Sequence, residues 1–193
     1  MQNLKCKILL LLVLVIGWGV LARPVLAQEK LEFEITEGTE AAEGTEIEYD
    51  LPWPGILPDH PLYWLKMIRD RIWGFLIRDP LKKSQWCLLM ADKRIWATQL
   101  LIDKGKFGLV VSIATKAEKY LERAVSRAYQ AEEMGKGDKI FFEKIAKASL
   151  KHEEILQEIL DKAPEELKTA IEETLEYPKS AKQKILVLLE EKH

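Results

Sequence analysis

The sequence predicts an all-α fold, a bundle of about five to six helices preceded by a signal peptide and a disordered acidic segment. Three observations carry this expectation. From Pro61 onward, apolar residues recur three and four apart, the spacing of a helix face. Pro, Gly and Asp interrupt that pattern where helices begin and end. No alternating segment of strand length follows residue 51, and the one stretch that alternates, Leu31–Ile35, lies in an acidic tail.

The first element, residues 1–27, reads as a secretory signal peptide. Lys5 and Lys7 form a basic start, and a 15-residue apolar run follows from Ile8 to Ala22, broken only by Gly17 and Gly19. Val25 and Ala27 then supply the small side chains that a signal peptidase inspects, so the expected cleavage follows Ala27. The run is shorter than the roughly 20 residues of a spanning helix; a retained N-terminal anchor is the alternative. In both cases the basic residues hold the N-terminus inside and send residues 28–193 out of the cytoplasm, to a periplasmic or secreted location.

Residues 28–50 are expected to be a disordered acidic linker. From Glu29 through Asp50, both included, there are nine acidic residues and one lysine, with Glu-Gly-Thr-Glu at 37–40 and again at 43–46. Such a stretch buries too little apolar surface to offset its ordering entropy. In residues 51–60, Pro52, Pro54 and Pro58 (with Pro61 just beyond) force an extended path carrying Trp53, Ile56 and Leu57. This segment is expected to strap across the helical body, residues 61–193.

The first helix is expected over about 61–77, with Leu62, Leu65, Ile68, Ile72 and Leu76 at helical spacing and Trp64, Met67, Trp73, Phe75 and Ile77 on its other faces. Asp79-Pro80 is a cap followed by a first-turn proline, and opens a second helix that Gly105 ends. A third helix, about 108–134, lines up Val110, Ile113, Ala117, Tyr120 or Leu121, Ala124, Ala128 and Ala131, small residues that allow close helix approach. After Gly135-Lys136-Gly137, Asp138 caps a fourth helix to about Lys162. Its apolar seam, Phe141, Ile145, Ala148, His152, Ile155 and Ile159, steps by 4, 3, 4, 3 and 4. Pro164-Glu165-Glu166 opens a fifth helix with acids at its positive end. Tyr177-Pro178 is expected to end or kink it, with Ser180 and Gln183 as a capping box for a last short helix.

Composition narrows the function classes. Cleavage leaves 166 residues, enough for one domain with a core. They carry 26 basic and 31 acidic side chains, a net charge of −5, which speaks against nucleic acid as a partner. Cys6 departs with the signal, so Cys87 stands alone, without an internal disulfide. In the apolar context Trp86-Cys87-Leu88-Leu89-Met90 it reads as a buried thiol, an intermolecular disulfide being the alternative.

No nucleophile elbow, phosphate-binding loop or dinucleotide turn occurs, so the expectation is a protein without catalytic residues or cofactor. His152 falls on the apolar seam while Glu153 and Glu154 turn away, the pattern of a satisfied core histidine; a metal or pH-sensing role is the alternative. His60 and His193 are isolated, and no metal site is expected. Lys116, Lys119, Arg123 and Arg127, interrupted by Glu118 and Glu122, read as a solvated face. Gly105-Lys106-Phe107 is like the turn of a tetratricopeptide hairpin, but one unit does not make a solenoid. The most distinctive surface is the first helix, where Trp64, Arg69, Arg71, Trp73 and Phe75 could form a partner surface or a membrane surface. A helix apolar all round is normally buried, so the expectation is a central helix strapped by residues 51–60.

Two stretches carry a family resemblance. Pro58-Asp59-His60-Pro61-Leu62-Tyr63-Trp64-Leu65-Lys66 is followed by Asp79-Pro80-Leu81-Lys82-Lys83 and Ala91-Asp92-Lys93-Arg94. Later come Lys151-His152-Glu153-Glu154-Ile155-Leu156 and Pro164-Glu165-Glu166-Leu167. Together, over about residues 55–190, they resemble the domain of unknown function 5667 family. Ile95-Trp96-Ala97 departs from it, being apolar where a more polar continuation is expected. The resemblance implies a helical, exported bacterial envelope domain and brings no active site. The sequence-based expectation is an exported, non-catalytic binding or structural module of the cell envelope, with an unknown protein or envelope component as partner. Membrane association is the alternative, through a retained anchor or the Trp/Arg-rich helix at 62–78.

Overall fold

The computed structural model of the protein describes residues 48–191. The expected signal segment with the expected cleavage after Ala27, Cys6, the alternating Leu31–Ile35, most of the acidic segment 28–50 and His193 lie outside the described residues. The described residues form five α-helices: α1 Tyr63–Leu76, α2 Pro80–Asp103, α3 Phe107–Glu133, α4 Lys139–Lys162 and α5 Glu165–Glu190. No strand occurs among them. The protein is all-α.

Local chemistry sets the helix boundaries. The Asp79 carboxylate accepts from the backbone N–H of Lys82 at 3.0 Å, and Pro80 fills the first turn of α2, where no N–H is required. Asp138 caps α4 in the same way, accepting from Phe141 N–H at 3.2 Å. Gly105 and Gly135, at φ +68° and +66°, end α2 and α3 in the left-handed conformation that glycine adopts without strain. The acids Glu165 and Glu166 sit in the first turn of α5.

α2 and α3 pair most extensively, α5 packs on α4 and α3, and α4 also reaches α2. The close α2–α3 approach follows from the small side chains of α3: Ala117, Ala124, Ala128 and Ala131 are all fully buried. At that contact the Ser84 hydroxyl donates to the Ala124 carbonyl at 2.6 Å. Every residue of the α4 seam is buried, from Phe141 to Ile159. The core divides into two apolar clusters. One gathers Leu88, Leu121, Phe142, Ile145 and Ile185; the other gathers Ile95, Leu101, Val110, Ile155 and Ile171.

Two expectations are corrected. α5 runs unbroken through Pro178, so no last short helix and no Ser180–Gln183 cap forms. Thr174 and Leu175 before the proline, and Ala181, Ile185 and Leu188 after it, are buried on one continuous face. That packing outweighs the hydrogen bond that proline forfeits. The Tyr129 hydroxyl donates to the Lys184 carbonyl at 2.6 Å and ties α3 to α5 beyond the proline.

The second correction concerns α1, which packs on the other helices far less than they pack on one another and buries only Asp70 and Gly74. The strap runs along α2 instead. Tyr49 reaches Asp92, Trp53 meets Trp96 edge-to-face at 5.2 Å between ring centroids, and Asp59 stands 3.5 Å from Lys104. This contact occupies the extra aromatic of Ile95-Trp96-Ala97, whose flanking residues are buried.

Overpacking the α2–α3 contact tests this arrangement. Ala124→Leu is expected to destabilise the fold by about 1–3 kcal/mol in urea titrations. Ile140→Ala, at a side chain 79 % exposed, is expected to change stability by less than about 0.5 kcal/mol.

Candidate functional site

Three charged side chains meet inside the bundle. Each lies between apolar residues four before and three after it on its own helix: Asp92 between Leu88 and Ile95, Glu118 between Ala114 and Leu121, His152 between Ala148 and Ile155. The spacing places all three on buried stripes, at the junction of the two apolar clusters. His152 Nδ1 lies 2.8 Å from Glu118 Oε1, and Nε2 lies 3.1 Å from Asp92 Oδ1. Both ring nitrogens therefore face carboxylates, and the ring bridges α2, α3 and α4. The Tyr49 hydroxyl donates to Asp92 Oδ2 at 2.7 Å and adds the segment just ahead of the strap to the network.

The electrostatics follow from this geometry. Burial disfavours a charged imidazole, but the Glu118 charge and the hydrogen bonds that Asp92 and Glu118 accept from the ring outweigh it, and the pKa of His152 is pushed up to about 10. As an imidazolium, the ring donates to both carboxylates. Burial and the neighbouring Asp92 charge push the Tyr49 phenol up, which keeps it a donor. Glu118 Oε2 is buried without a hydrogen-bond partner. The cluster has the composition of an acid–base triad, but His152 and Glu118 are fully sealed from solvent. Two surface grooves, one between α3 and α5 and one beside α1, do not reach it. A proton relay needs access to a substrate, and this ring has both nitrogens committed. The arrangement works as a connector.

The expectation of a satisfied core histidine is met in a stronger form, since its partners are charged. Glu118 is not part of a solvated face. Its position four residues after Ala114 and three before Leu121 was the available signal, as was Asp92 in Met90-Ala91-Asp92. His60 accepts from the backbone N–H of Leu62 at 3.1 Å, ahead of α1. Cys87 is buried, and burial pushes its thiol pKa up, the state of an inert thiol.

The second feature is the surface of α1. At about 100° per residue, Ile68 and Ile72 lie opposite Asp70 and Gly74. The inward side thus carries a carboxylate and a glycine, and the outward side carries the apolar residues. Trp64, Leu65, Ile68, Ile72, Trp73 and Leu76 are each about half exposed, and Phe75 is 85 % exposed. The expectation that this helix is buried on all faces is therefore overturned. Arg69 is exposed and pairs with Asp70 at 2.8 Å; Arg71 is exposed on the other flank.

α1 is held by few contacts. Lys66 Nζ donates to the Pro54 carbonyl at 2.6 Å and the Ile56 carbonyl at 3.2 Å, joining helix and strap. Burial lowers its pKa to about 8. The Lys83 ammonium donates to the Gly74 carbonyl. At Gly74 the backbone rests directly on the Trp86 ring, where a Cβ would fall 2.5 Å from the indole.

His152 makes a pH dependence that can be measured. Its folded-state pKa lies above the ordinary value of 6.5, so its stabilisation is complete below about pH 6.5 and is lost as pH rises through about 10. Stability is expected to fall across that window with a slope of up to about 1.4 kcal/mol per pH unit. His152→Leu leaves two buried carboxylates unpaired and is expected to cost about 3–5 kcal/mol at pH 7. Replacing all three charged residues, as Asp92→Leu/Glu118→Leu/His152→Leu, should recover most of that loss and flatten the pH profile, read by urea midpoints between pH 6 and 10.

A family comparison covers this region of the chain. The family described as Domain of unknown function (DUF5667) matches residues 55–166, which include the strap from Gly55, α1 to α4 and all three buried charged residues. No curated protein and no solved structure matches the chain. With more than half of its length matched, the chain belongs to the Domain of unknown function (DUF5667) family.

Proposed function

We propose that the protein is an exported, non-catalytic helical module of the bacterial envelope that docks on an anionic membrane surface through α1. The observation that carries this reading is the inverted amphipathicity of α1. An apolar helical face turned to solvent marks a binding surface, since soluble domains rarely leave large apolar patches uncovered. Aromatic residues with flanking arginines are the composition of a helix at a lipid–water interface. Lys66, Arg69, Arg71 and Arg78 against Asp70 give this segment positive charge within a net acidic chain. The 14 residues of α1 span about 21 Å, less than the roughly 30 Å hydrocarbon core, so the helix lies in the interface. No helix among the described residues is long and apolar enough to cross a membrane.

The export reading is supported by the basic, apolar and small-residue order of residues 1–27. The non-catalytic reading is supported by the sealed His152 cluster. A retained segment and a cleaved one are both compatible with docking by α1. In the first case α1 adds a second contact to a tethered chain; in the second it is the main attachment.

Co-sedimentation with vesicles tests the proposal. Residues 28–193 are expected to sediment with phosphatidylglycerol-rich vesicles at low salt and much less with phosphatidylcholine vesicles. Ile68→Asp/Ile72→Asp should weaken binding about tenfold or more while leaving the far-ultraviolet circular dichroism unchanged. No sedimentation of the parent chain, or equal sedimentation of the variant, would remove the membrane reading and leave α1 as a surface for an envelope protein.

A further inference from the structure

Beside the outer face of α1 lies a groove of about 390 Å³ formed by α1, α2 and α3. Four cationic side chains line it: Arg71 from α1, Lys83 and Arg94 from α2, and Arg123 from α3. Asp70 is the one carboxylate of the lining, and Arg69 bonds to it from outside. Among the described residues no carboxylate pairs with Arg71, Lys83, Arg94 or Arg123. Four converging cations against one carboxylate, itself paired with Arg69, repel one another, and an anion in the groove relieves that repulsion.

The groove is built rather than loose. Trp86 and Tyr120 form its aromatic floor, edge-to-face with centroids 5.6 Å apart. Lys83 stands 4.8 Å above the Trp86 ring. Arg94 and Arg123 lie 4.3 Å and 5.4 Å from the Tyr120 centroid. Rings hold these cations in place; Arg94 Nη1 donates to the Met90 carbonyl at 2.9 Å, which leaves its other N–H groups and those of Arg123 for a planar or tetrahedral oxyanion. Gly74 brings the α1 backbone onto Trp86 and fixes the depth of the groove. Met67 and Phe75 form its apolar rim and border the outward face of α1.

We propose that this groove binds the phosphate headgroup of an anionic lipid, with the acyl chains leaving over Met67 and Phe75 onto the outer face of α1. The inference rests on the membrane reading above and assigns that surface a headgroup site. The phosphate supplies charge for the four cations. The rim supplies an apolar exit in the plane where α1 meets the membrane.

Titration with dihexanoyl phosphatidic acid below its micelle concentration tests the site. Residues 28–193 serve as the protein, and the Trp86 indole N–H resonance, assigned with Trp86→Phe, is the readout. A saturable shift is expected with this lipid, at concentrations where inorganic phosphate and dihexanoyl phosphatidylcholine give none. Arg94→Gln/Arg123→Gln should weaken it at least about tenfold and Arg71→Gln severalfold. Ile140→Ala, at an exposed side chain of α4 away from the groove, should leave it unchanged. Arg94→Gln/Arg123→Gln should still sediment with vesicles, because it leaves the apolar face of α1 intact. An equal response to inorganic phosphate would overturn the lipid assignment. An absent Trp86 response in a chain that still sediments would overturn the groove site and leave membrane docking standing.

Discussion

The imidazolium of His152, held between Glu118 and Asp92, is the constraint on which the bundle depends. It sits where the two apolar clusters meet and touches a helix on each side of its own. Burying three charged groups costs solvation that their mutual attraction only partly repays. Such a cluster is poor at adding stability and good at fixing register. Sliding α2 or α3 by one turn would place a carboxylate against apolar atoms and leave the ring unpaired. The apolar seam of α4 tolerates several alignments; the charged centre tolerates one. Tyr49, just ahead of the strap, extends the same network, and the strap lies along α2 while touching α1 through Lys66.

A bundle closed in this way is complete without α1. The four longer helices bury one another's apolar faces, and α1 is left with its carboxylate and glycine inward and its isoleucines and aromatics outward. Nothing in the intrinsic properties of α1 dictates that orientation. It follows from two polar anchors, Lys66 on the strap carbonyls and Lys83 on the Gly74 carbonyl, and from the close seat of Gly74 on the Trp86 ring. These hold the helix by its polar side. The result is an apolar helical face on a rigid support, and a cationic groove at its edge. Both features point to one class of ligand, an anionic amphiphile, which is why surface and groove belong to a single account.

Local signals were legible in the sequence. Asp79-Pro80, Gly105, Gly135 and Asp138 gave boundaries because each acts on its immediate backbone. The α4 seam was legible because a 4-3 repeat has one geometric meaning. What failed was decided by tertiary packing. Pro178 reads as a break, yet buried contacts on both sides carry the helix through it. Glu118 reads as solvated beside Lys116 and Lys119, although its own position falls on the stripe of Ala114, Ala117 and Leu121. The orientation of α1 was hidden for a further reason. The apolar side of α1, which burial would ordinarily turn inward, faces outward, because its short polar side decided the matter through partners distant in sequence. The groove cations come from three helices, and only the fold brings them together.

Depth-dependent quenching of tryptophan by brominated lipids tests the central claim most directly, because it reports which residues enter the membrane. With residues 28–193 on phosphatidylglycerol-rich vesicles, the account predicts strong quenching by lipids brominated near the headgroup end of the acyl chain. The quenching should be lost in Trp64→Phe/Trp73→Phe, which still sediments. Quenching that survives this double replacement and traces to Trp53 or Trp96, on the α2 side, would contradict docking through α1.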